Sequence, residues 1–396
     1  MSESLYEILV LGSVPDTIMK PLENWLSERL EDFELKVGDD VRILYSEDLP
    51  NRRPEVATCA IYFGGDAAID AIIIDELRSY LVPILPVVMK GQSVSEALPN
   101  AVQSLNAVIL KTEQGASQAI GSVVLENLGL MREQRRAFIS YRRNEASTVA
   151  QQLYDEFSSN GYDAFLDVNG IRASAEFQEK LWDKLCDSDV LVMLDTAGYY
   201  DSHWTEEELA RARAKDIKVL RIAWADNKSP NDMDFADTYF LDDGSFEDGN
   251  GATGSERLTE AACDEIGQKL EDVRSRSIAA RFIAIAGKLR VGIQTLKGTV
   301  QGVASDRSLL VTLPQGEEFP AYPAVGVPTA EIIHSIEERY NDASYDCLKP
   351  MLVYDHVGIG QQWSKHLSWL DKNLQSVELI KVEHIAWDLY GKIRTQ

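Results

Sequence analysis

Residues 137–145 read AFISYRRNE, four residues of strand-forming character running straight into Tyr141, Arg142, Arg143 and Asn144. A buried strand thus delivers polar groups to its own carboxyl end. In open α/β sheets that end is where ligands bind, because the loops there form a crevice and the next helix turns its N-terminus toward it. Two guanidiniums at such an edge read as ligand-facing rather than core. Working outward, strand Ala137–Tyr141 leads to a helix with Val149, Leu153 and Phe157 at four-residue intervals, stopped by Gly161. DAFLDV then forms a second strand ending at Asp167, followed by the loop NGIRASAE and a helix whose apolar face is Phe177, Leu181 and Leu185. DVLVMLD is an almost unbroken apolar run, as expected of a central parallel strand. A helix from Trp204 to Asp216 and the strand KVLRIAW follow.

The 396 residues suffice for two or three domains, and 45% hydrophobic with 26% charged content is ordinary for globular protein. Lys and Arg number 39 against 64 Asp and Glu, a formal charge of −25, which disfavours nucleic acid and anionic membranes as partners. An anionic ligand must therefore meet a local basic cluster. Cys59, Cys186, Cys263 and Cys347 are widely spaced with no CxxC, so no zinc site or disulfide framework is indicated. No apolar run approaches the roughly 20 residues of a membrane span, and MSESLYEILV lacks a basic region leading into an apolar stretch. A cytoplasmic protein with reduced thiols and no metal is expected.

The flanking sequence is also α/β in pattern. From Tyr6 come the strand YEILVLG, an amphipathic helix through Leu22, Trp25, Leu26 and Leu30, the strand ATCAIYFGG, a helix over Ala67–Tyr80 and the run VPILPVVM. Gly64 and Gly65 lack the rest of a phosphate-binding motif and read as turn punctuation. Between Asp226 and Ser255 the chain is polar and rich in Asp and Gly, predicting an unpacked loop or lid. A helix resumes at Leu258, and small-residue helix IAARFIAIAGKL opens a third block. LLVTL and a loop punctuated by Pro314, Pro320, Pro323 and Pro328 come next, then helix, strand, helix and strand, with Asp355, His356, Gly358 and Gly360 at one strand end. The expectation is three successive Rossmann-like or flavodoxin-like α/β modules with parallel sheets, over 1–131, 132–275 and 276–396.

Three motifs of the middle block carry a resemblance: FISYRRN, FLDVNGIRASAEF and SHWTEEEL. Together they resemble a Toll/interleukin-1 receptor (TIR) domain over about residues 135–275. The likeness is to the enzymatic branch that includes the axon-degeneration NAD glycohydrolase and bacterial antiphage proteins. On that resemblance the middle motif is the strand and flexible BB loop, and the last places the family's Trp and catalytic Glu at Trp204 and Glu208. Spacing agrees in part: four residues put Trp204 and Glu208 on one helix face, while Glu206 points about 160° away from Glu208. Glu207 lies nearly as close to that face, so only the family pattern, with Leu209 following directly, prefers Glu208.

The resemblance implies cleavage of NAD+ to nicotinamide and ADP-ribose or a cyclic isomer, NAD+ being substrate and no further cofactor being needed. Breaking that N-glycosidic bond develops a ribosyl cation, which an opposed Glu208 carboxylate would stabilise. Arg142 and Arg143 would meet the pyrophosphate. Trp204, Tyr141 and Phe177 would stack on planar rings, although Phe177 fits the core stripe of its helix equally well. Asp167 would orient the ribose or cap its loop, and Arg172 would contact NAD+ or a neighbouring subunit. Homo-oligomerisation through TIR domains, activation by that assembly, a role in antiphage defence, and flanking domains that sense a trigger or arrange the assembly are further implications. The alternative is an adaptor of the same fold that only self-associates.

Overall fold

The computed structural model describes residues 4–64, 67–166, 175–199, 203–224, 236–249, 256–342, 349–374 and 376–395. The chain divides into two compact units, Met1–Glu133 and Gln134–Gln396. In the first, β1 (Tyr6–Leu11), α1 (Asp16–Asp32), β2 (Val41–Tyr45), β3 (Ala57–Tyr62), α2 (Ala67–Ser79), β4 (Ile84–Met89), α3 (Val94–Ala97), β5 (Val108–Leu110) and α4 (Ala116–Asn127) follow in order. Every strand pair is parallel, and the sheet order is β2-β1-β3-β4-β5. The apolar stripe of α1, Ile18, Leu22, Leu26 and Leu30, is buried as its spacing predicts. Gly12 leaves β1 at φ +84°, where a Cβ would collide with the backbone of Gly64, whose carbonyl accepts from the Ser13 amide at 2.7 Å. Gly64 is thus a turn residue between adjacent strand ends. The edge strand β2, VRILY, goes unrecognised in the sequence because its middle is half-buried and its apolar pattern short.

The second unit begins with β6 (Arg135–Tyr141), α5 (Arg143–Ser159), β7 (Tyr162–Leu166), α6 (Ala175–Cys186), β8 (Val190–Asp195), α7 (His203–Ala214), β9 (Lys218–Trp224), β10 (Ala236–Leu241) and α8 (Glu260–Thr295). Its parallel sheet has the order β10-β9-β8-β6-β7, the same winding as the first sheet read from the other edge. VLVMLD is wholly buried at its centre. Strand β10 corrects the sequence reading: ADTYFL lies inside the stretch expected to be an unpacked loop, yet it pairs with β9 through six residues. As an edge strand it is only half-buried, so the apolar run that announces a central strand is missing. After it Phe246 is buried and bridges to Leu258.

The remaining elements are β11 (Thr299–Val303), β12 (Leu309–Thr312), β13 (Glu318–Ala324), α9 (Ala330–Asp342), β14 (Met351–Tyr354), α10 (Gln361–Asn373), β15 (Glu378–Lys381) and α11 (Ile385–Thr395). They build a third α/β sheet, β11-β12-β13-β14-β15, parallel from β13 to β15 but antiparallel at β11 and β12. The expectation of an all-parallel sheet is corrected there, because short connections join β11, β12 and β13 and cannot carry a parallel crossover. Strand β13 also replaces an expected loop: Pro320 and Pro323 sit within it, opposite Leu310 and Val353. An odd separation directs their missing donors to opposite neighbours, so each ladder loses only one bond.

The helix α8 is 36 residues long and joins two cores. Its first half, Ala262, Cys263, Ile266, Leu270 and Val273, packs with α5 against the central sheet. Its second half, Phe282, Ile285, Ala286, Leu289 and Ile293, packs with α11 against the third sheet. The boundary drawn at residue 275 therefore falls inside a continuous helix, with no Gly or Pro between Gly267 and Gly287 to end it. At mid-helix Arg274, 0% exposed, pairs with Asp189 at 3.2 Å and Glu271 at 3.5 Å. Asp189 also accepts from the Arg136 amide at 3.0 Å, and Glu271 from Tyr162 Oη at 2.8 Å and Arg135 at 3.0 Å. Burial, with Glu271 alongside, pushes the Tyr162 phenol well above its usual range.

Candidate active site

In the central sheet the chain leaves β6 toward β7 on one side, while β8 continues on the other. Neighbouring strands whose connections diverge leave a crevice beyond their carboxyl ends. Tyr141 and Arg142 stand at that end of β6, and Thr196–Tyr199 at that of β8. Helix α7 turns its inner face, with Leu209 and Ala212 buried, beneath this edge, and Glu208 shares that face at 1% exposure. Ser140 Oγ donates to Glu208 Oε2 at 2.5 Å and lies 2.8 Å from Tyr199 Oη. Ser140 and Tyr199 are as deeply buried as the carboxylate. Neither was singled out from the sequence; the available signal was a hydroxyl in an otherwise apolar strand, between Ile139 and Tyr141.

Arg142 is engaged rather than open. Its Nη1 donates to the Gly198 carbonyl at 2.7 Å and pairs with Glu145 Oε1 at 2.9 Å, while Glu145 Oε2 accepts from the Gly198 amide at 3.0 Å. The clamp ties the start of α5 to the turn after β8. It depends on a break in the helix at Ala146 (φ −136°, ψ 20°), which lets Glu145 reach sideways. Gly198 is required by close approach: a Cβ there would overlap the Arg142 guanidinium and the Glu145 carboxylate. Gly198→Ala is expected to eject both flexible side chains, losing about 1–2 kcal/mol of charge-assisted hydrogen bonding. A thermal melt should fall by a few degrees, at about 2–4 °C per kcal/mol; an unchanged Tm would mean that the clamp holds nothing.

Of the other residues singled out, Arg143 is exposed at the first position of α5 and Tyr141 packs its ring against the core on the α5 side. Phe177 and Trp204 fall on α6 and α7, but their side chains lie outside the described residues, as do Asp167 and Arg172 altogether. Beside the crevice, Asp195 at the end of β8 receives Arg221 Nε and Nη2, both at 2.6 Å, in a buried ion pair across β8 and β9. Among the described residues no group of three His, Cys, Asp or Glu is placed to hold a metal, and no helix is long and apolar enough to cross a membrane.

The strand-end set Asp355, His356, Gly358 and Gly360 docks onto the far edge of the central domain. Lys215 Nζ donates to the Asp355 carbonyl at 2.8 Å, Cys186 Sγ to the Gly358 carbonyl at 3.1 Å, and the Gly360 amide to Asp183 Oδ1 at 2.7 Å. His356 faces away, its ring 5.5 Å from that of His384. Burial, with Lys381 and His384 nearby, lowers the His356 pKa from 6.5 against the pull of Glu383 and Asp355. The neutral ring is therefore the one the fold favours. That contribution is complete above the unfolded value of 6.5 and is lost as pH falls through the lower folded value. His356→Gln is accordingly expected to flatten the decline of the urea midpoint below pH 6.5, and parallel wild-type and variant curves would refute the assignment.

Comparison with known proteins places this geometry. Residues 137–252 match the family model for the TIR domain. No curated protein matches the chain. Among solved structures, a putative LacI transcriptional regulator from Bacteroides fragilis is similar at 9% identity over 57% of this chain and 79% of its own, TM-score 0.19. The C-terminal domain of glucosamine-fructose-6-phosphate aminotransferase from Francisella tularensis is 11% identical over 70% of this chain and 84% of its own, TM-score 0.22. Scores this low carry no argument.

Proposed function

We propose that this TIR-domain protein cleaves the nicotinamide–ribose bond of NAD+. The observation that supports the reading most is the Glu208 carboxylate, seated beneath the carboxyl end of β6 with Ser140 on its Oε2. As the C1′–N bond breaks, its electron pair neutralises the pyridinium and positive charge moves to the ribosyl ring. Nicotinamide leaves neutral, so no strong acid is needed. A fixed carboxylate in a poorly solvated site stabilises the cation until water adds at C1′ and releases a proton. The products are nicotinamide and ADP-ribose, or a cyclic isomer where an adenine nitrogen of the same molecule adds in place of water. Arg143, exposed at the start of α5, supplies positive charge for the pyrophosphate in a chain of net charge −25.

At 1% exposure Glu208 touches no ligand in this conformation, so turnover requires the segments over it to open. TIR domains commonly self-associate, and assembly of the chain in the cytoplasm is the proposed trigger, with a role in antiphage defence. The same burial favours a second reading, a scaffold in which Glu208 is structural. Incubating concentrated protein with NAD+ and measuring nicotinamide and nucleotide products by mass spectrometry separates the two. Release of nicotinamide supports the enzyme; assembly with no release under any crowding condition supports the scaffold.

A further inference from the structure

We propose that Ser140 and Tyr199 are positioning residues for Glu208, a directed hydrogen-bond relay that orients the carboxylate through Oε2. The inference rests on the reading of Glu208 as the catalytic carboxylate. Ser140 lies on β6, Tyr199 on the turn after β8 and Glu208 on α7, so the relay joins three elements. All three side chains are 1–2% exposed. They sit beside the apolar cluster of Phe138, Leu191, Met193, Leu209 and Ala212, to which the Tyr199 ring belongs. Burying hydroxyls and a carboxylate there is unfavourable unless each is bonded, and apolar side chains of similar volume would serve stability as well. Direction follows from proton count: Ser140 gives its single hydroxyl proton to Glu208, so its lone pair accepts from Tyr199 Oη.

Tyr199 is itself held. Its amide donates to the Thr196 carbonyl at 3.0 Å, and its neighbour Gly198 is gripped by Arg142 and Glu145. The stretch 137–145 thus reaches Glu208 twice, directly from Ser140 and indirectly from Arg142 and Glu145 through the turn that carries Tyr199. A carboxylate held this way keeps its plane and its charge while the segments above it move, which is what stabilising a short-lived ribosyl cation demands.

The test is steady-state kinetics of the full chain with NAD+ for Ser140→Ala, Tyr199→Phe and the double variant, beside wild type and Glu208→Gln. Ser140→Ala is expected to lower kcat about 10–100-fold with KM within about twofold, the loss of one hydrogen bond to a charged group felt mainly in the transition state. Tyr199→Phe, which keeps the ring volume, is expected to lower kcat about 3–10-fold alone and less than about twofold in the Ser140→Ala background, because it acts only through Ser140. Additive effects, or an unchanged kcat in Ser140→Ala, overturn the relay; if that variant does not fold, an unchanged kcat in Tyr199→Phe does so. Wild-type protein that releases no nicotinamide overturns the catalytic reading and the relay together, whereas active wild type with inactive Glu208→Gln and unaffected relay variants overturns the relay alone.

Discussion

Glu208→Gln is expected to reduce nicotinamide release by about a hundredfold to a thousandfold while leaving the fold intact, the range seen when one preorganised electrostatic group is removed from a buried site. Glutamine has the same shape, and the Ser140 hydroxyl, which donates to Glu208 Oε2 at 2.5 Å, can donate equally to an amide oxygen. What disappears is the full negative charge opposite the developing ribosyl cation. Because Glu208 is buried, no bulk water stands ready to replace that charge. The companion change Glu207→Gln should alter release by less than about threefold, the size of a surface-charge effect. That pair decides between two adjacent carboxylates that helix spacing alone leaves open. Activity in Glu208→Gln above about a tenth of wild type would move the chemistry to another group, since a lone electrostatic stabiliser accounts for more than that.

Arg274→Met is expected to be the most destabilising single change outside the site. Arg274 is 0% exposed and Nε pairs with Asp189, itself 0% exposed, at 3.2 Å. Methionine fills much of the space but leaves Asp189 charged and stripped of its partner, a loss of about 3–5 kcal/mol. At about 2–4 °C per kcal/mol, Tm should fall on the order of 10 °C. The effect reaches both cores of the second unit, because Arg274 sits where α8 passes from the central sheet to the third. Calorimetry should therefore show one lowered transition for residues 134–396 rather than the loss of a single domain. A melt within about 2 °C of wild type would mean that Asp189 is satisfied by the Arg136 amide alone, with the ion pair contributing no more than a surface one.

Much of this architecture is legible in the chain. VLVMLD is apolar throughout and is the buried centre of its sheet; the stripe Ile18, Leu22, Leu26 and Leu30 lies where helical period puts it. Elements at sheet margins, or that break a compositional rule, escape such reading. ADTYFL is half-solvated and embedded in an acidic, glycine-rich stretch, so composition argues for a loop while a free edge on β9 makes it a strand. Pro320 and Pro323 argue against a central strand, and the structure accepts them because each ladder bears one missing donor. No Gly or Pro marks a change of domain within α8, and none occurs.

For the site, the motif alone determines that polar residues stand at the end of β6 and that a glutamate lies one helical turn beyond Trp204, since both follow from local period and strand direction. It leaves undecided which partner each of those residues meets. Arg142 turns to Gly198 and Glu145, and Ser140, unremarkable in sequence, becomes the hydrogen-bond donor to Glu208. Those contacts span 56 and 68 residues of chain, from β6 to the turn after β8 and to α7. Only the sheet order that sets β8 beside β6 brings such distant positions within hydrogen-bonding reach, and that adjacency is a property of the packed fold.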